Sequence, residues 1–190
     1  MKINEYTQNA LKTELKDYNI SLSPLQFRKL HAAMGISTEI AELIQSKDGI
    51  NTAEEIGDVF YYVAIFADAL NVDFKSLFAS EEGLKAFEKK IDYDRTQGLA
   101  YCIIAGGELL DLAKKEIFYK TKIEDKDILE KLTIVVIFLQ LFTDTQKLKL
   151  EDVLLANIEK LKERYGEKFS TEKANNRDLE AEYEALKNNI

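Results

Sequence analysis

Hydrophobic positions recur along this chain mainly at helical spacing. Residues 3–18 carry Ile3, Tyr6, Ala10 and Leu11 in an otherwise polar stretch, which predicts an amphipathic helix. Ser23, Pro24 and Gln26 then form a capping-box pattern that opens a helix running to about Ser46. Gly35 interrupts that helix at a cost of about 1 kcal/mol relative to Ala, which implies a bend or a close approach. Asp48-Gly49 ends it, and Asn51 with Glu54 offers a cap for a helix reaching about Leu70. Asn71-Val72-Asp73 breaks this one before a short helical turn, Phe74 to Phe78.

From Ser80 to Lys90 the pattern turns polar, SEEGLKAFEKK, and marks a boundary between residues 1–80 and 81–190. The second part reads as another copy of the first. Glu108-Leu-Leu-Asp111-Leu echoes Glu39-Ile-Ala-Glu42-Leu, Leu132 to Phe142 echoes Val59 to Ala67, and Leu148 to Leu154 echoes Val72 to Leu77. The run TIVVIFLQLF is rich in β-branched residues, yet its place in the repeat and its flanks favour a buried helix over a strand. The fold class is therefore all-α, a helical bundle of two tandem repeats.

Composition agrees. One Pro and eight Gly in 190 residues leave little material for turns, and 46% hydrophobic with 32% charged residues is ordinary for a globular chain. A formal net charge of −8 argues against a nucleic-acid surface, which needs clustered Lys and Arg. The lone cysteine, Cys102, lies in an apolar run and reads as a small core residue in a reducing compartment. No apolar run approaches the ~18 residues of a membrane span and MKINEYTQNALK has no signal-like apolar region, so the expectation is a cytoplasmic protein with no membrane partner.

Candidate chemistry concentrates in GISTEIAELIQSKDGINTAEEIGD, residues 35–58. Glu39 and Glu42 are spaced i, i+3, and so are Glu55 and Asp58, so each pair lies on one helical face. Helices joined by a short connector pack antiparallel, which brings the pairs opposite one another. Four converging carboxylates repel each other unless a cation sits among them, and oxygen ligands suit Mg²⁺ or, as a substitute, Mn²⁺. The plainer reading is a solvated acidic face, common in a chain with 34 Asp and Glu. Against it, Asp58 leads directly into VFYYVAIFA, apolar on all sides. His31, in LHAAMG, reads as a packed or hydrogen-bonded histidine, since it has no partner imidazole.

The order ExxE, short connector, ExxD and aromatic run resembles the all-α nucleoside triphosphate pyrophosphohydrolases of the MazG and dimeric dUTPase superfamily. The resemblance implies Mg²⁺-dependent hydrolysis of a nucleoside triphosphate to the monophosphate and pyrophosphate. Metal ligands would be Glu39, Glu42, Glu55 and Asp58, with Glu39 or Glu42 acting on the attacking water. The tail is similar to a phage-type and bacterial branch of the same proteins, through Lys115, Phe118-Tyr119-Lys120, Asn157, Lys160, Arg164-Tyr165, Phe169-Ser170, Ala174 and Asn176-Arg177-Asp178. It implies Lys115, Tyr119, Asn157, Lys160, Arg164 and Tyr165 as substrate-binding residues. Asn157, Lys160 and Arg164 share a helical face suited to phosphates, although Glu159 and Glu163 offer ordinary ion-pair partners for it.

The second repeat lacks half its acids. It offers Glu130 with Thr133, or Lys131 with Ile134 one residue on, so a full metal site is expected only in the first. An internal pseudo-dimer with one working site follows, and such a unit can pair again as a homodimer. The alternative is a nucleotide-binding or regulatory helical protein that binds Mg²⁺ and nucleotide without turnover.

Overall fold

The computed structural model describes residues 7, 9–15, 19–79, 84–85 and 95–190. Seven α-helices and no strands occur among them: α1 (Pro24–Gln45), α2 (Gly49–Ala69), α3 (Arg95–Phe118), α4 (Asp125–Thr145), α5 (Leu150–Tyr165), α6 (Thr171–Asn175) and α7 (Leu179–Lys187). The all-α expectation holds, and TIVVIFLQLF lies inside α4. Most of the polar boundary at residues 80–90 falls outside the described residues. So does much of the first expected helix, but the described part ends that helix early: a 3₁₀ turn at Leu11–Thr13 gives way to extended backbone at Glu14.

Local chemistry sets the first boundaries. The Ser23 Oγ accepts from the Gln26 backbone N–H at 3.2 Å while Gln26 Oε1 accepts from the Ser23 N–H at 3.1 Å, completing the capping box around Pro24. The cap of α2 differs from expectation. Asp48, not Asn51, accepts the first free N–H, from Asn51 at 2.9 Å, and α2 begins three residues early at Gly49. Glu54 and the Asn51 side chain are thereby released for other work.

The helices α2 and α4 are each 21 residues long. They also end alike. Beyond α2, Asn71 has φ 55° and the Val72 N–H reaches back to the Ala67 carbonyl; beyond α4, Lys147 has φ 59° and the Leu148 N–H reaches the Thr143 carbonyl. Each left-handed residue closes the helix by satisfying carbonyls of its last turn.

Helices α1 and α2 pack together, as do α3 and α4, while α1 also packs on α3 and α5 on α2. One apolar cluster runs through all of them, from Ala32 and Ile36 through Phe60, Phe66 and Leu109 to Leu139, Phe142 and Val153. Its burial is the main stabilising term, at about 1.5–3 kcal/mol per large side chain. Cys102 belongs to it: fully buried, with its thiol pushed up to about 12 by desolvation, it is inert as a nucleophile. Lys29 of α1, 5% exposed, pairs with Glu116 of α3 at 2.6 Å and pins those helices together. The C-terminal α7 packs on α5 and touches α2. No described helix is long and apolar enough to cross a membrane.

Candidate functional site

Two glycines let the site close. At Gly35 of α1 a Cβ would sit 2.3 Å from the Tyr62 ring, and at Gly57 of α2 it would sit 2.8 Å from the Asn157 Cβ. Real side chains do not approach so closely, so α1 meets α2 and α2 meets α5 where each lacks a side chain. Gly35 serves close packing, one of the two uses expected of it.

Across the α1–α2 seam, Glu39, Glu42 and Glu55 each offer a carboxylate oxygen, and these atoms lie within 4.8 Å of one another. Glu55 is 7% exposed, and its Oε1 accepts from the Asn51 Nδ2 at 2.8 Å. That bond orients the carboxylate toward the other two. The oxygen set suits a hard divalent cation such as Mg²⁺.

Asp58 stands beside the trio with both oxygens engaged. Its Oδ1 accepts from the Asn157 Nδ2 at 2.6 Å and its Oδ2 from the Lys160 Nζ at 2.5 Å. Lys160, fully buried, also reaches the Glu54 Oε1 at 3.2 Å. Glu54, expected as a capping acid, is therefore an ion-pair partner. Lys160 and Asn157, expected to meet substrate, spend their visible donors on Asp58 and Glu54.

Lys160 thus pairs with two of the five carboxylates and leaves Glu39, Glu42 and Glu55 without an ammonium in contact, and the excess charge shows in the acids. The Glu39 carboxyl is pushed up to about 7, by burial first and then by the charges of Asp58, Glu42 and Glu55, against a smaller pull from Lys160. Glu55 is likewise raised to about 7, by burial and then by Glu54, Asp58 and Glu42, with the Asn51 hydrogen bond opposing. Each proton held near neutral pH does part of what a bound cation does.

Beside the acids opens a cavity of about 410 Å³ lined by residues of three helices and the turn after α5. From α1 come Phe27, His31 and Glu39, a row at spacing of four and eight; from α2 come Asp58, Tyr61 and Tyr62; from the α5 end come Leu161, Arg164, Tyr165 and Phe169. The His31 ring stacks on Phe27 at 6.2 Å and meets Tyr62 edge-on at 5.4 Å. Tyr165 lies 5.2 Å from Phe169. The Tyr62 hydroxyl is raised to about 12 by burial and then by Glu39, so it stays a neutral donor.

Arg164 is held from behind. Its Nε and Nη2 donate to Glu182 of α7 at 2.9 and 2.5 Å, and Arg177 donates to the same carboxylate through Nε and Nη2 at 3.1 and 2.5 Å. Glu182 is 2% exposed, and hydrogen bonds from Arg164 and Arg177 outweigh its burial, holding its carboxyl at about 2.

Of the residues singled out by sequence, Glu39, Glu42, Glu55, Asp58, Asn157 and Lys160 come together, with Arg164 and Tyr165 on the adjoining cavity. Lys115 and Tyr119 do not join them. Lys115 pairs with Asp111 at 2.7 Å beside a separate cavity of about 320 Å³, and Tyr119 is exposed past the end of α3. Phe118, also part of the tail resemblance, lies outside the cavity lining. Phe27 and Glu182 carried no sequence expectation, and Phe169 and Arg177 only their place in the resemblance of the tail. For Phe27 a signal existed, since it stands four residues before His31 and twelve before Glu39 on one helix.

Compared with protein-family models, curated proteins and solved structures, the chain matches none.

Proposed function

We propose that this chain is a Mg²⁺-dependent nucleoside triphosphate pyrophosphohydrolase, cleaving a nucleoside triphosphate to the monophosphate and pyrophosphate. The observation that carries the reading is the convergence of Glu39, Glu42 and Glu55 at the end of an aromatic cavity that also holds Arg164. Acids that share a point in space suit a hard cation, and the aromatic walls suit a planar base. Glu39, Glu42 and Glu55 would hold the metal, and Asp58 completes the acidic wall.

Mg²⁺, when bound, neutralises phosphate charge and polarises the anhydride. Glu39 is the residue for the water: of the three clustered glutamates it is the one that lines the cavity, so it is placed to orient or deprotonate a water there. Lys160 acts through Asp58, which it holds in place, rather than on phosphate directly. Arg164 faces the cavity and offsets charge on the departing pyrophosphate. The base lies among Phe27, His31, Tyr61, Tyr62 and Tyr165.

The two helix pairs are read as copies with one working site. At the spacing of 76 residues that superposes the ends of α2 and α4, Glu55 corresponds to Lys131 and Asp58 to Ile134. Lys131 pairs with Glu108 at 3.1 Å, so an ammonium stands where the first pair would have a metal.

A binding-only reading is favoured by one feature, the full engagement of Asp58 by Asn157 and Lys160. Pyrophosphate release from a panel of nucleoside triphosphates with Mg²⁺ separates the two. The hydrolase reading expects turnover that falls about 10²–10⁴-fold in Glu39→Gln. No release from any substrate, with Mg²⁺-nucleotide still raising the melting temperature, leaves a binding protein.

A further inference from the structure

The pairing behind Arg164 is more than one arginine needs. Glu182 carries two guanidiniums, one of which, Arg164, also lines the cavity, while Arg177 does not. Two positive groups on one carboxylate repel each other, and the Arg164 charge does oppose that of Arg177. A single arginine suffices for a bidentate pair with a carboxylate, so either one alone can keep the buried Glu182 compensated. Removing both would strand a carboxylate that is 2% exposed, which proteins avoid at considerable cost.

We propose that Glu182, Arg164 and Arg177 form a charge-exchange device: Arg164 leaves Glu182 for a polyphosphate ligand in the cavity, and Arg177 keeps the buried carboxylate paired. The inference rests on reading the cavity as a polyphosphate site and adds how that site releases its arginine. In the ligand-free chain both arginines satisfy Glu182, so Arg164 is stored folded and ordered beside the aromatic walls, 5.6 Å over the Tyr165 ring. When an anion of high charge enters, Arg164 exchanges one oxyanion for another at little net loss. Without Arg177 the same move abandons Glu182, and the ligand must offset that. Arg177 is thus a positioning residue that never touches the ligand. Its side chain is 37% exposed against 14% for Arg164, so its own place tolerates change.

The device predicts a reversal of sign that a plain structural strut does not. The probe is inorganic tripolyphosphate with Mg²⁺, titrated calorimetrically at fixed ionic strength into the full chain. Arg177→Gln is expected to weaken binding about tenfold, Glu182→Gln to leave it unchanged or tighten it, and the double variant to return to within about twofold of the Glu182→Gln value. Arg164→Gln weakens binding in either background. The proposal is overturned if Arg177→Gln binds like wild type, if Glu182→Gln weakens binding as Arg164→Gln does, or if wild type takes up no tripolyphosphate. Should Glu182→Gln fail to fold, Arg177→Gln decides alone, because it leaves Glu182 paired with Arg164 in the free protein. Tripolyphosphate binding with this pattern but no nucleotide turnover upholds the exchange and removes only the hydrolase reading.

Discussion

Lys160 shows how far a single side chain can depart from the role its sequence context suggests. It stands on one face of α5 with Asn157 and Arg164, a face suited to phosphate, yet it is fully buried and turned to Asp58 and Glu54. Those partners lie 102 and 106 residues earlier in the chain, and Asn157 meets Asp58 across 99. No local pattern encodes such pairs. The carboxylate trio was legible because ExxE and ExxD fix faces of adjoining helices. Who neutralises Asp58 was not, because that depends on how α5 crosses α2 at Gly57. The consequence is energetic: removing one member of a buried ion pair leaves the others uncompensated. Lys160→Met is expected to lower unfolding free energy at pH 7.5 by about 3 kcal/mol or more, read by urea denaturation. An unchanged midpoint would mean that Asp58 and Glu54 do not depend on that ammonium.

At the level of elements, the helices were readable where capping and periodicity are local. Ser23-Pro24-Gln26 located the start of α1, and the apolar run after Asp58 located α2. The start of α2 is ambiguous in the sequence because Asp48 and Asn51 are both good caps, and only the backbone path selects between them. Amphipathic spacing to residue 18 predicts a longer opening helix, because it does not reveal the extended backbone at Glu14. Lys115 and Tyr119 join the expected site only through the resemblance of the tail, whereas α3 carries Lys115 to a different cavity and Tyr119 lies exposed beyond its end. The equal length and matching ends of α2 and α4 give the second helix pair its own test. Lys131→Glu combined with Ile134→Asp replaces an ammonium by two carboxylates beside Glu108 and Asp111. The variant is expected to bind two divalent ions per chain, counted by Mn²⁺ titration, against one in wild type. A count unchanged from wild type would show that the second pair cannot be converted.

For the whole molecule, the acidic site sets a pH dependence opposite to that of most surface carboxylates. Glu39 and Glu55 have folded-state values near 7, above the 4.5 of the unfolded chain. Their cost to folding is fully present above pH 7 and relieved as pH falls toward 4.5. Glu182 acts in the other direction: held at about 2, it stabilises above 4.5 and loses that contribution as pH falls further. From these groups the metal-free protein is therefore most stable at about pH 4.5 to 5. Its melting temperature at pH 8 is expected to be lower by about 5 °C, for a cost on the order of 2 kcal/mol. Saturating Mg²⁺ should shrink that gap. A melting temperature that rises steadily from pH 5 to 8 without metal would mean the acids are not crowded.

Whether Glu39, Glu42 and Glu55 together hold a divalent cation is read by calorimetric titration of Mg²⁺ at pH 7. Run in two buffers of different ionisation enthalpy, wild type should show saturable binding with proton release, because ions displace the protons that Glu39 and Glu55 keep near neutrality. Glu55→Gln should lose that binding at least tenfold. No binding at millimolar Mg²⁺, or equal binding by wild type and Glu55→Gln, would contradict the account.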